Sequence, residues 1–215
     1  MKKMMREMQW RENPAQAAGK NEMSLEKEIR VPEERPYLKT GVLSLTGQRL
    51  PWLLVLMISG MVTGGILSSY ENAFAAVPLL VSFVPMLTDT GGNAGSQSST
   101  MVIRGMALGE ILPGDAFRVL WKEMRVGLAA GLVLGMVNFI RLAVQYPGSQ
   151  MLAFTVMLSL MAAVVMAKTI GSLLPLAAEA LHMDPAIMAA PLITTIVDGV
   201  SLIVYFKLAC VLMHL

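Results

Sequence analysis

From residue 50 to the C-terminus the chain is a succession of apolar stretches, each about 20 residues long, interrupted by polar or proline-containing breaks. Stretches of that length match the hydrocarbon thickness of a bilayer. Inside a bilayer every backbone N–H and C=O needs a partner from the chain itself, so spans of this kind fold as helices. The sequence therefore reads as an all-α integral membrane protein, with five transmembrane helices per protomer at 51–70, 73–96, 126–144, 151–174 and 191–212. A mean hydropathy of +0.60 and a charged fraction of 15% agree with that class and not with a soluble domain of 215 residues.

Residues 1–49 are different in kind. They are charged, contain Pro14, Pro32 and Pro36, and lack the apolar core of a signal peptide, so they read as a polar cytosolic leader in front of the membrane domain 50–215. A second basic segment, 104–125, alternates Arg118, Lys122 and Arg125 with Phe117, Val119, Leu120 and Trp121, and has Asp115 placed as a helix N-cap. It reads as an interfacial connector. Leader and connector hold all but three of the 17 Lys and Arg residues, and the two spans between them put both on one side. The excess of positive charge marks that side as the cytosol of a plasma (inner) membrane, with the N-terminus cytosolic and the C-terminus outside. The other three, Arg141, Lys168 and Lys207, are expected to snorkel to the headgroups. A net charge of +2 gives no reason to expect nucleic acid, and the single cysteine, Cys210, excludes an internal disulfide framework. No P-loop, zinc-protease or Ser/His/Asp pattern is present, so the chain does not read as an enzyme.

Two constellations carry polar chemistry into the apolar region. The first is Thr88-Asp89-Thr90-Gly91-Gly92-Asn93-Ala94-Gly95-Ser96-Gln97-Ser98-Ser99-Thr100, at the end of a span that also contains Pro78 and Pro85. Such a span is expected to be kinked and partly unwound, with its freed carbonyls and the Asn93 and Gln97 amides facing a water-filled pathway. Close helix packing through the glycines is the competing reading. The second is Asp198 in 191–212, with Thr194 and Thr195 before it and Ser201 and Tyr205 after it on one helix face. An ionised aspartate at the bilayer centre costs about 2.5–3.5 kcal/mol on insertion scales, so Asp198 is expected to face the bundle interior and meet a cation, a proton or a donor. Oxygen donors without nearby His or Cys suit a hard cation, and Mg²⁺ is bound through one or two carboxylates while keeping several waters. Five helices make a thin wall for a hydrated ion, so a two-fold homodimer is expected, with a central pore and two copies of Asp198 near the axis.

The residues Pro78, Pro85, Gly91-Gly92-Asn93-Ala94-Gly95-Ser96-Gln97-Ser98, Ile103-Arg104-Gly105, Lys122-Glu123, Asp184-Pro185-Ala186 and 191–205 around Asp198 occur in an order that resembles the membrane domain of the MgtE family of magnesium transporters and channels. The resemblance implies five helices per protomer in a homodimer, with Asp198 holding hydrated Mg²⁺ and with Gly91, Gly92, Asn93 and Gln97 beside the ion. Thr194 and Thr195 join that set from the same face as Asp198. By the same resemblance Glu71 stands at the outer mouth and Asp184 on the cytosolic side, where Asp89 is also placed. Typical members carry a helical domain and paired CBS domains where this sequence has 49 residues, so closure of the pore is expected to be lost or to come from a separate cytosolic regulator. Three functions follow from these readings. The first is channel-like inward movement of Mg²⁺. The others are a coupled carrier or exporter of another divalent cation such as Co²⁺ or Mn²⁺, and a non-conducting membrane subunit that binds a regulator.

Overall fold

The computed structural model describes residues 40–181 and 185–215, which leaves residues 1–39 of the expected leader and Asp184 outside the described residues. The chain parts into two units, Met1–Pro51 and Trp52–Leu215, and the helix packing below belongs to the second.

The described residues form α1 (Val42–Ser69), α2 (Glu71–Ala76), a 3-10 helix (Pro78–Phe83), α3 (Val84–Ala107), a 3-10 turn (Pro113–Asp115), α4 (Ala116–Gln145), α5 (Gln150–Ala180) and α6 (Pro185–Met213). Four helices among them are long and apolar enough to cross a membrane: Val42–Ser69, Ala116–Gln145, Gln150–Ala180 and Leu192–Met213. The described residues are all-helical, and with these four candidate spans the chain is a multi-pass membrane protein. Pro51 lies inside α1 and not at its start.

The stretch expected as one span at 73–96 is divided into three pieces. Val77 takes φ −138° and ψ 82° because the ring of Pro78 excludes the residue before it from helical geometry, which ends α2. Pro85 then falls in the first turn of α3, where a missing N–H is harmless. The helix break therefore comes before the glycines and not at them: residues 91–95 are regular α-helix. α3 ends in a Schellman motif, with Gly109 at φ 71° and the amides of Gly109 and Glu110 bonded to the carbonyls of Met106 and Gly105. Residues 104–125, read from sequence as a connector, are shared between the end of α3, this turn and the first turns of α4. Asp115 stands at the N-cap position of α4, but its carboxylate accepts from the Leu112 amide and from Arg118.

α5 is the hub of the bundle and packs on α3, α4 and α6, while α3 also packs on α6. Its buried hydroxyls cost little because Thr155 and Ser159 donate back to the carbonyls of Met151 and Thr155. The antiparallel seam with α4 is lined by Gly127, Gly131 and Gly135, four residues apart on one face. A Cβ on each would stand 3.1 Å from Val165 Cα, Met161 Cα and Met157 Cγ respectively. Hydrogen at these positions lets the two backbones approach, and dispersion replaces the hydrophobic drive that lipid does not supply. We predict that Gly131→Leu overpacks this seam by about 1–3 kcal/mol and lowers the melting temperature in detergent. Gly114→Leu, where no atom lies within 4 Å, should leave it unchanged; equal melting of the two variants would contradict the seam.

Candidate functional site

The polar residues of α3 are sorted onto two sides. Gly91, Gly92, Ala94, Gly95, Ser98 and Ser99 are buried, whereas Asp89, Asn93, Gln97 and Thr100 are exposed and recur at three- and four-residue steps. The buried side is pressed against α5 and α6. A Cβ on Gly95 would stand 2.8 Å from Ile193 Cγ2 and 3.1 Å from the Ala167 carbonyl oxygen, and one on Gly171 would overlap the Gly95 carbonyl. Gly91 meets Val197 and Ser201 in the same way, and Gly92 meets Thr194 at a looser 3.6 Å. The glycines thus do the close packing that the sequence left as the competing reading.

The exposed side bears an open depression of about 670 Å³ lined by Asn93, Ser96, Gln97, Thr100 and Met101. On α6, Thr194, Thr195 and Asp198 are half-buried next to this helix, and Asp89 lies within electrostatic reach of Asp198. Among the described residues no Lys or Arg forms an ion pair with Asp198, and no group of three His, Cys, Asp or Glu side chains is gathered to hold a metal ion. The donor set is one or two carboxylates, amides and hydroxyls, which fits a cation that keeps its water shell and not one stripped of it. Glu71 is exposed in the first turn of α2. Asp184 lies outside the described residues.

Two features were not legible in the sequence. Tyr205 does not extend the polar stripe of Asp198. It is fully buried, and its hydroxyl donates to the Leu80 carbonyl at 2.9 Å, an acceptor that lies within the 3-10 segment. Its ring and those of Tyr70 and Phe74 pack against Phe206, Tyr70 stacked, Phe74 edge-on and Tyr205 tilted. Lys168 does not snorkel either: it is 8% exposed and turned inward, onto Ser98 and Glu123. A Lys in an apolar helix gives no hint of its partner when the partner lies on another helix; only the Lys122-Glu123 pair, placing an acid near the start of α4, was a signal.

A multi-pass helical membrane protein with one helix turned polar side outward is what the fold defines. The MgtE family, described as divalent cation transporters, matches residues 84–208, and the chain belongs to that family. It is similar to the magnesium transporter MgtE of Thermus thermophilus, 37% identical over 179 residues, covering 83% of this chain and 39% of that one. It is similar also to those of Bacillus subtilis (35% identical, 78% of this chain and 37% of that one) and Enterococcus faecalis (33%, 80% and 38%). The chain thus spans under two fifths of the length of these relatives.

The Tyr205 anchor yields a prediction. Tyr205→Phe leaves the Leu80 carbonyl without its buried donor and should cost about 1–3 kcal/mol. It should also speed hydrogen exchange in 77–83 over that in α4; unchanged exchange in that segment would remove the anchoring role.

Proposed function

We propose that the chain carries Mg²⁺ across the membrane, as hydrated ions moving along the exposed face of α3 and past Asp198. The observation that carries this reading is the half-buried Asp198 carboxylate, unpaired with any described Lys or Arg, beside a helix whose exposed side is lined by Asp89, Asn93 and Gln97. α3 misses the hydropathy of a span because of those residues, so it serves as the fifth crossing helix, with its polar side kept from lipid by a second copy of the chain. Its 24 residues rise about 36 Å, enough for the hydrocarbon core. Two copies related by a two-fold axis bring two Asp198 carboxylates to one pathway.

In this reading Asp198 holds the ion through its inner waters. Asn93 and Gln97 on α3, and Thr194 and Thr195 on α6, offer amide and hydroxyl oxygens to those waters, and Gly91 and Gly92 let the two helices pack closely. Asp89, within electrostatic reach of Asp198, joins this lining in the proposed pathway. Glu71 gathers cations at the outer mouth and Asp184 stands at the cytosolic exit. Entry follows the membrane potential, since a double charge gains about 4.6 kcal/mol per 100 mV. With the N-terminus cytosolic, the membrane is the plasma (inner) membrane. A separate cytosolic regulator, where one exists, would meet the leader.

Flux of Mg²⁺ into liposomes holding the purified chain tests this reading. Asp198→Ala should lower flux about tenfold or more, as expected when about 1.4 kcal/mol of ion binding is lost, with helix content unchanged. Equal flux in a folded Asp198→Ala protein sinks the pathway. Flux that is instead driven by a pH gradient would favour a coupled carrier.

A further inference from the structure

We propose that Glu123 and Lys168 are a matched charge pair that keeps the field at the cation pathway neutral, with Ser98 tying the pair to α3. This inference rests on the reading above, that a cation passes along α3. The three side chains come from three helices. The Lys168 ammonium of α5 donates to Ser98 Oγ of α3 at 3.2 Å, Ser98 Oγ donates to Glu123 Oε2 of α4 at 2.5 Å, and Lys168 Nζ stands 3.7 Å from the same oxygen. Glu123 is largely buried and Lys168 almost wholly so. The packing is close: a Cβ on Gly127 would stand 3.5 Å from Lys168 Cδ.

A buried ion pair is a poor device for stability, because desolvation offsets most of the attraction and an apolar pair of similar size does as well. Its other property is neutrality. Ser98 follows Gln97 in the chain and lies about 1.4 turns, a rise of about 7.5 Å, beyond Asn93. Gln97 and Asn93 line the open side of α3, so a net charge at the pair would act across a single helix in a low-dielectric surrounding. Matched, the two charges leave the field at the pathway nearly unchanged. Unmatched, the surviving charge acts on a divalent ion with a sign that depends on which partner is lost. A lone ammonium repels the ion, and a lone carboxylate detains it. Glu123 and Lys168 are therefore positioning and charge-balancing residues; neither touches the ion.

The test uses the full chain in detergent, with the Mg²⁺ concentration that half-saturates thermal stabilisation as readout and liposome flux on the same preparations. Glu123→Gln should raise that concentration about tenfold, Lys168→Met should lower it by a similar factor, and the double variant should return to within about threefold of wild type. Opposite shifts that cancel are beyond a merely structural role. Singles that shift in the same direction, or a double no better than the worse single, overturn the inference. So do singles that fail to fold beside a double that folds and binds as wild type, since the pair then serves folding alone. The two readings fail separately. A wild type that is stabilised by Mg²⁺ but carries none overturns transport and leaves the paired shifts readable. Flux without opposed shifts overturns only the charge pair, and a wild type that neither binds nor carries Mg²⁺ overturns both.

Discussion

The approach of α3 to α5 at Gly95 and Gly171 is the contact on which the rest of the bundle depends. No side chain stands between the two backbones there, and a single methyl group on Gly171 would occupy the place of the Gly95 carbonyl oxygen. Lipid tails are as apolar as leucine, so helices in a membrane gain nothing by hiding apolar surface from each other; they associate where dispersion contact is dense. Glycine supplies that density. The same device joins α5 to α4 through Gly127, Gly131 and Gly135, and α3 to α6 through Gly91 and Gly95. α5 can act as a hub because its neighbours meet it with so little bulk.

This packing decides where the polar groups of α3 go. With the glycines turned inward, the helix period carries Asp89, Asn93 and Gln97 outward and leaves Ser98 and Ser99 on the buried side. Ser98 finds partners in Glu123 and Lys168. At the other end of α3 the chain meets a different problem, because Pro78 breaks the helix and an irregular segment must satisfy its own carbonyls. Tyr205 answers part of it by donating to Leu80. α6 thus bears Asp198 at its middle and, two turns later, the anchor for the segment that leads into α3, so the orientation of one helix serves both.

Membership in the MgtE family and the four long apolar helices agree on a multi-pass membrane protein. Among the described residues no group of three His, Cys, Asp or Glu side chains is gathered at Asp198, and oxygen donors without His or Cys suit a hard cation that retains water. α1 adds a further constraint. None of its residues is buried, though Ile66 and Leu67 at its end touch the aromatic cluster.

Much of this was open to a reader of the sequence. Apolar runs of span length dictate helices, because no other structure satisfies the backbone in lipid, and an aspartate within such a run must face something polar. The motif around Asn93 and Asp198 carried the family. Other features depended on neighbours that no local pattern encodes. The glycines at 91–95 are compatible with unwinding or with close packing, and only the presence of α5 and α6 against them selects packing. The prolines at 78 and 85 are compatible with one kinked span or with a break; Pro78 ends α2 at Val77, and the Tyr205 hydroxyl on the Leu80 carbonyl holds the segment that follows. Lys168 could reach a headgroup or turn inward; it turns inward because Glu123 and Ser98, 45 and 70 residues away in sequence, stand within reach of its ammonium. Sequence by itself determined what had to be helical and which residues had to leave lipid, since both follow from the cost of unsatisfied polar groups in hydrocarbon. The tertiary structure alone decided which polar groups were spent on holding the helices together and which were left open, since that depends on distances between helices.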